Sequence, residues 1–266
     1  FHIYREKTQA GLSIMGCDGS YLAASKYPQR VFADFAAVPP LVVQTLLYIE
    51  NRELLDERYP YRNPAVEWDR LGHAAVQRIA HLLMPHGNSP GGSTLATQIE
   101  KYRHSPGGRT NSMSEKLRQM ASASLRAYMN GADTYATRQQ IVLDYLNTMP
   151  LSATQEVGEV FGLGDGLWAW YGADLAAVSQ RLRKVTTESD ALAQGRAYRQ
   201  VLSLLVAQRR PSGLLWGDRK RLADLTDSYL RLMAQEGIVD ERMRDAALAA
   251  RHSTDDAVVE QSVTRN

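Results

Sequence analysis

The sequence predicts a mainly α-helical fold with a small β-hairpin at its start, and three observations carry that prediction. Apolar residues recur at helical spacing in most segments after Pro39-Pro40. Two short runs, Gly11 to Gly16 and Ser20 to Ser25, flank Cys17-Asp18-Gly19, where Asp-Gly favours a tight hairpin turn. The chain has 266 residues, of which 44% are hydrophobic. A chain of this size can bury most of the surface its unfolded form exposes. Internal repeats, low-complexity tracts and obvious linkers are absent. We therefore expect a hairpin or linker element over 1–36 and a helical domain over 37–266, forming one structural unit.

Taken in order, the first helix follows Pro39-Pro40, since proline suits the first helical turn, and Leu41, Val42, Leu46, Leu47 and Ile49 form its apolar stripe. Glu50 follows Leu46 and Leu47 by four and three residues, which puts its carboxylate at the edge of the buried face. Residues 54–91 hold two helical pieces and a loop rich in Pro, Gly, His and Asn. Helices are then expected over Ser93 to Tyr102, Ser112 to Met129, Ala136 to Asn147, Gly164 to Tyr171, Leu175 to Lys184, Ser189 to Gln208, Asp218 to Gln235 and Asp240 to Ala250. Phe161-Gly162-Leu163-Gly164-Asp165-Gly166 is glycine-dense, but it follows no clear strand and lacks the G-x-G-x-x-G spacing of a dinucleotide site.

Composition narrows the function classes. One cysteine cannot close an intrachain disulfide, and the chain lacks C-x-x-C and H-E-x-x-H patterns, which speaks against a disulfide scaffold and a structural zinc site. Cys17 is expected as a small buried side chain. No apolar run reaches the roughly 18 to 20 residues of a membrane span. The chain begins at Phe1 instead of Met, which leads us to expect a segment cut from a longer protein, its anchor missing. The formal charge of +2 conceals a local excess. Between Glu100 and Arg138 stand Lys101, Arg103, Arg109, Lys116, Arg118, Arg126 and Arg138, against Glu100, Glu115 and Asp133. That stretch suits an anionic ligand, and a solvated helical face explains it equally.

The helix from Ser93 to Tyr102 is the most informative. Leu95, Ile99 and Tyr102 occupy one face, while Thr94, Thr97, Gln98 and Lys101 share another. Gly91, Gly92 and Ser93 leave backbone N–H groups unhindered at the positive end of the helix dipole, a place that favours an anion.

These residues belong to an ordered set that resembles the peptidoglycan glycosyltransferases of family 51, the transglycosylase domain of bifunctional penicillin-binding proteins, of which this chain looks like a divergent member. Of the family's five motifs, four leave traces in the right order over roughly residues 11–250. The first is represented by Glu50-Asn51-Arg52-Glu53-Leu54 and Asn63-Pro64-Ala65-Val66-Glu67, and the second by Gly91-Gly92-Ser93-Thr94-Leu95-Ala96-Thr97-Gln98-Ile99-Glu100-Lys101. The third is Glu115-Lys116-Leu117-Arg118-Gln119, and the fourth, nearly intact, runs from Arg138 to Asn147. Trp170-Tyr171-Gly172 and Gln208-Arg209-Arg210-Pro211-Ser212 resemble further family stretches. The fifth motif falls near Leu225 to Leu230, where both of its arginines are missing.

The resemblance implies a lysozyme-like helical domain that polymerises lipid II. In that reaction the acceptor 4-hydroxyl attacks the anomeric carbon of the growing glycan, inverts it and expels undecaprenyl pyrophosphate. By motif position Glu50 is the general base and Gln119 occupies the place of the family's second glutamate. Lys101 and Lys116 would hold the pyrophosphate, with Arg52, Thr94, Gln98, Arg109 and Arg138 assisting. The implied partners are lipid II, the growing glycan strand and a membrane surface, with fused or partner cell-wall domains allowed and no nucleic acid. The implied location is the extracytoplasmic face of the cytoplasmic membrane. The segment Leu54 to Leu83, with Tyr59, Tyr61, Trp68, Leu71, Ile79, Leu82 and Leu83, occupies the family's membrane-dipping region, and an ordinary amphipathic helix face explains the same residues equally. No cofactor or metal is expected, although the family tolerates a divalent cation.

The departures define the alternatives. Gln119 cannot exchange a proton near neutral pH, the first motif's aspartate is Asn51, and its histidine is Asn63. The pattern fits a divergent enzyme relying on one carboxylate, or a catalytically impaired module that binds glycan or lipid pyrophosphate and scaffolds cell-wall assembly. A lysozyme-like hydrolase fits less well, because hydrolysis ordinarily uses two carboxylates.

Overall fold

The computed structural model describes residues 12–15, 17, 21–25, 30–64, 127–129, 131–154, 157–184 and 190–251. The helices expected over Ser93 to Tyr102 and most of Ser112 to Met129 lie outside these residues, as do the helical pieces after residue 64. The described chain is mainly helical with small antiparallel β elements, as the spacing predicts. It divides into two compact units, one of residues 34–145 and one of residues 1–33 with 146–266.

In the unit of 34–145, a single 3-10 turn at Phe35–Ala37 is capped by the Asp34 carboxylate, which accepts from the Ala37 N–H at 2.7 Å. Helix α1 (Pro40–Glu50) follows, with Val42, Val43, Thr45, Leu46, Ile49 and Glu50 buried. The stripe is broader than the sequence spacing alone gives, because Thr45 returns its hydroxyl to the Leu41 carbonyl at 2.7 Å and so loses its need for water. A run of turns carries the chain from Asn51 to Arg62. Helix α2 (Tyr135–Thr148), of which the residues up to Tyr145 belong to this unit, matches the helix expected over Ala136 to Asn147, and Val142, Leu143, Tyr145 and Leu146 are buried.

The other unit contains the hairpin of β1 (Leu12–Met15) and β2 (Tyr21–Ser25), antiparallel with Leu12 opposite Ser25 and a register shift between Ile14 and Met15. Cys17, in its turn, is exposed, which corrects the expectation of a buried thiol: a two-strand hairpin tip offers no interior to occupy. After α2 comes a second hairpin that the sequence did not announce, β3 (Pro150–Thr154) with β4 (Gly158–Phe161). Its register is irregular, and Ser152 takes a left-handed φ of 70°, a conformation that costs a non-glycine residue energy. Two indole N–H groups hold it in place: Trp170 donates to the Leu151 carbonyl at 3.0 Å and Trp216 to the Ala153 carbonyl at 2.6 Å.

The glycine-dense stretch opens helix α3 (Gly162–Tyr171). Gly162 has a φ of 80°, and a Cβ there would stand 2.4 Å from the Asn147 carbonyl oxygen. A Cβ on Gly164 would stand 1.9 Å from the Arg30 carbonyl oxygen. These glycines therefore serve close backbone packing. Helices α4 (Leu175–Arg183), α5 (Ala191–Ala207), α6 (Arg219–Gln235) and α7 (Glu241–Ala249) follow, within a few residues of the expected ends. Asp174, Asp218 and Asp240 cap α4, α6 and α7 by accepting from the N–H three residues on. The core of this unit is α5, against which α3, α4, α6 and α7 all pack. Between α5 and α6, Ser212–Gly217 forms a short π-helix.

One polar cluster lies inside that core. Arg199 of α5, 2% exposed, donates to Asp227 of α6 at 2.6 Å, and Arg251 donates to the other Asp227 oxygen at 2.6 Å and to Asp224 at 2.7 Å. Asp227 stands where the fifth motif would fall, and its guanidinium partners come from α5 and from beyond α7. Among the described residues no helix is long and apolar enough to cross a membrane.

Candidate functional site

The described part of the candidate site is built at the end of α1. Glu50 is the last residue of the helix and is 5% exposed. Asn51, the helix C-cap, is 4% exposed and donates its N–H to the Leu47 carbonyl at 2.9 Å. Glu50 thus lies deeper than the face edge that its spacing suggests, screened from bulk water.

Arg52 is exposed, and its guanidinium lies 4.1 Å from the centroid of the Tyr48 ring, a cation–π contact that directs the charge along the outside of the helix end. The turns then run on, with Leu54 N–H to Asn51 O at 3.2 Å, Asp56 N–H to Glu53 O at 3.2 Å and Arg62 N–H to Tyr59 O at 3.2 Å. Glu53 pairs with Arg62. Asp56 accepts from Arg58, chiefly from its side chain at 2.6 Å and then from its backbone N–H at 3.0 Å, and this holds the carboxyl at about 2, down from 3.8. Leu54 is buried, whereas Tyr59 and Tyr61 are 55% and 67% exposed, with Arg58 and Arg62 close to the Tyr59 ring.

Arg138, expected to assist at the pyrophosphate, is 0% exposed. Its guanidinium donates to the main-chain carbonyls of Leu54 at 2.8 Å, Asp56 at 3.1 Å and Tyr59 at 3.1 Å. Burial pushes it below its ordinary value, and the nearby Asp133 carboxylate opposes that shift. Beside it Thr134, also 0% exposed, donates its hydroxyl to the carbonyls of Pro60 at 3.1 Å and Arg62 at 2.7 Å. Tyr135 donates to the Glu57 carboxylate at 3.0 Å; burial, then that hydrogen bond, raises its phenol above the usual range. Thr134, Tyr135 and Glu57 were not expected at the site. The available signal was Thr134 at the N-cap position before α2.

Thus Glu50, Arg52 and Arg138 belong to the same unit, with Arg138 bonded to the turns that follow Glu50 and Arg52. Thr94, Gln98, Lys101, Arg109, Lys116 and Gln119 lie outside the described residues, as do Trp68, Leu71, Ile79, Leu82 and Leu83. Among the described residues no three His, Cys, Asp or Glu side chains converge to hold a metal ion. Asn147, the last residue of the fourth motif, acts structurally in the other unit. Its amide exchanges two 2.9 Å hydrogen bonds with the Phe32 backbone, accepting from the N–H and donating to the carbonyl.

A comparison with protein families matches residues 18–214 to the family described as Transglycosylase, well over half of the chain. No curated protein matches the sequence. By the extent of that family match, with the motif order on the chain, the protein belongs to the transglycosylase family, whose members transfer glycosyl units in peptidoglycan outside the cytoplasm.

Proposed function

We propose that this chain is a peptidoglycan glycosyltransferase that polymerises lipid II, with Glu50 as its general base. The observation that carries the reading is Glu50 itself, a 5%-exposed carboxylate at the end of α1 inside the family match. The acceptor's 4-hydroxyl forms a bond to the anomeric carbon of the growing strand while its proton passes to the Glu50 carboxylate. The bond from that carbon to the pyrophosphate oxygen breaks with inversion, and undecaprenyl pyrophosphate leaves with the bonding electrons. A positioned base of this kind is worth about 10² to 10⁴ in rate.

The leaving group accumulates negative charge, so cations aimed at it stabilise the transition state. Lys101 and Lys116 are proposed for that role, with Arg52, Thr94, Gln98 and Arg109 assisting. Gln119 offers a hydrogen bond in place of a second carboxylate. No cofactor is required by this chemistry.

The exposed Tyr59 and Tyr61, interleaved with Arg58 and Arg62, support contact with the membrane surface that holds the substrate's lipid tail. In this reading the protein works at the extracytoplasmic face of the cytoplasmic membrane. Incubating the protein and its Glu50→Gln variant with lipid II tests the reading. Glycan strands made by the wild type and not by the variant support it. Binding by both without turnover favours a glycan-binding scaffold, and reducing ends released from preformed peptidoglycan favour a hydrolase.

A further inference from the structure

We infer that Arg138, together with Thr134, is a positioning residue: it clamps the turns after α1 by their main-chain carbonyls, and through them fixes where Glu50 and Arg52 stand. This assigns Arg138 away from the pyrophosphate, and it rests on the proposed glycosyl transfer at Glu50.

The carbonyls of an irregular segment need partners, because an unpaired buried backbone group costs about as much as a lost hydrogen bond. Between Leu54 and Arg62 the start of α2 and the residues just before it supply them. Arg138 takes the carbonyls of Leu54, Asp56 and Tyr59, and Thr134 takes those of Pro60 and Arg62. The Tyr128 hydroxyl donates to the Tyr61 carbonyl at 2.9 Å, and the Thr134 N–H adds a 2.9 Å bond to Pro60. A guanidinium presents its N–H groups in a rigid fork, so one side chain can hold carbonyls from three successive turns.

The same geometry excludes a substrate role. Arg138 is fully buried, its two terminal nitrogens are committed to carbonyls, and its Nε is buried without a hydrogen-bond partner among the described residues. A phosphate could reach it only by dismantling the clamp. The link to the reacting group is short: the Leu54 N–H bonds the carbonyl of Asn51, the residue that ends α1 directly after Glu50. A base displaced by about 1 Å can cost about 10²-fold in rate.

The test compares wild type with Arg138→Met, Arg138→Lys and Thr134→Val, measuring kcat and KM for lipid II together with amide hydrogen exchange over residues 51–62. In Arg138→Met, kcat is expected to fall about 10²-fold while KM stays within about threefold. Amides of 51–62 should exchange about tenfold faster. Arg138→Lys, which keeps the charge but loses the rigid fork, should recover part of both losses. Thr134→Val should show the same signature more weakly, and it carries the test if Arg138→Met does not fold.

A KM raised more than about tenfold with kcat preserved and exchange unchanged makes Arg138 a ligand and overturns the inference. A wild type that makes no polymer removes the proposed function instead, and unchanged exchange in all variants removes the clamp whatever the activity.

Discussion

Replacing Asp227 by alanine removes the carboxylate between two arginines in the core around α5, and its cost can be worked from the contacts. Arg199 is 2% exposed and keeps, without Asp227 and among the described residues, the Ala247 carbonyl at 3.3 Å and the Ala223 carbonyl at 3.4 Å. Removing one member of a buried ion pair costs about 3–5 kcal/mol, because the remaining charge stays desolvated. The long carbonyl contacts soften this toward the lower end. The Arg251 side chain is 28% exposed and retains Asp224, so its lost bond adds under about 1 kcal/mol. The sum is about 3–4 kcal/mol, which at an m-value of about 2–3 kcal/mol per molar corresponds to about 1–2 M urea at the midpoint. Tryptophan fluorescence reads the transition, since Trp168, Trp170 and Trp216 lie in the same unit as Asp227. Arg199→Met combined with Asp227→Leu should recover most of the loss, as apolar replacement of a buried pair generally does. A midpoint shift below about 0.3 M urea for Asp227→Ala, or a double variant no more stable than the single one, would refute the reasoning.

Two further outcomes follow from the same structure. Asn147→Ala strands the Phe32 N–H and carbonyl, and each stranded buried group costs about 1–3 kcal/mol, so urea unfolding should register a loss of about 2–6 kcal/mol; a loss under about 0.5 kcal/mol contradicts the paired hydrogen bonds. The Asp56 carboxyl, followed by carbon chemical shift, should titrate at about 2 instead of 3.8. Because its folded value is depressed, its turn with Arg58 is fully held above 3.8 and weakens as pH falls through about 2; a midpoint near 3.8 contradicts the pairing.

The helices of the second half of the chain were legible because their signals are local. Apolar spacing sets α4 to α7, and Asp174, Asp218 and Asp240 mark three starts by the same capping bond. The β3–β4 hairpin was not legible. Its strands are five and four residues long, Ser152 breaks the alternation with a left-handed φ, and the pairing is held by indoles from Trp170 and Trp216, 19 and 63 residues beyond the carbonyls they bond. The π-helix at Ser212–Gly217 was hidden by Pro211-Ser212-Gly213, which reads locally as a turn.

The site divides in the same way. Glu50 could be placed from Leu46 and Leu47, since one helix fixes all three, though its depth depends on packing from elsewhere. Arg138 shows the limit of charge counting. A sequence reveals a cation on a basic stretch, but what surrounds it is set by carbonyls 79 to 84 residues earlier in the chain. Arg199 and Asp227 are a second case, a buried pair 28 residues apart on different helices that no spacing rule connects.

The rate of lipid II polymerisation by wild type and by Glu50→Gln, at equal substrate and with binding measured in parallel, decides whether Glu50 is the general base. The substitution keeps size and removes the proton-accepting carboxylate. Glycan strands are expected from the wild type and a rate about 10² to 10⁴ lower in the variant, with lipid II still bound. Polymerisation by Glu50→Gln within about threefold of wild type, or no polymer from the wild type itself, would contradict that role.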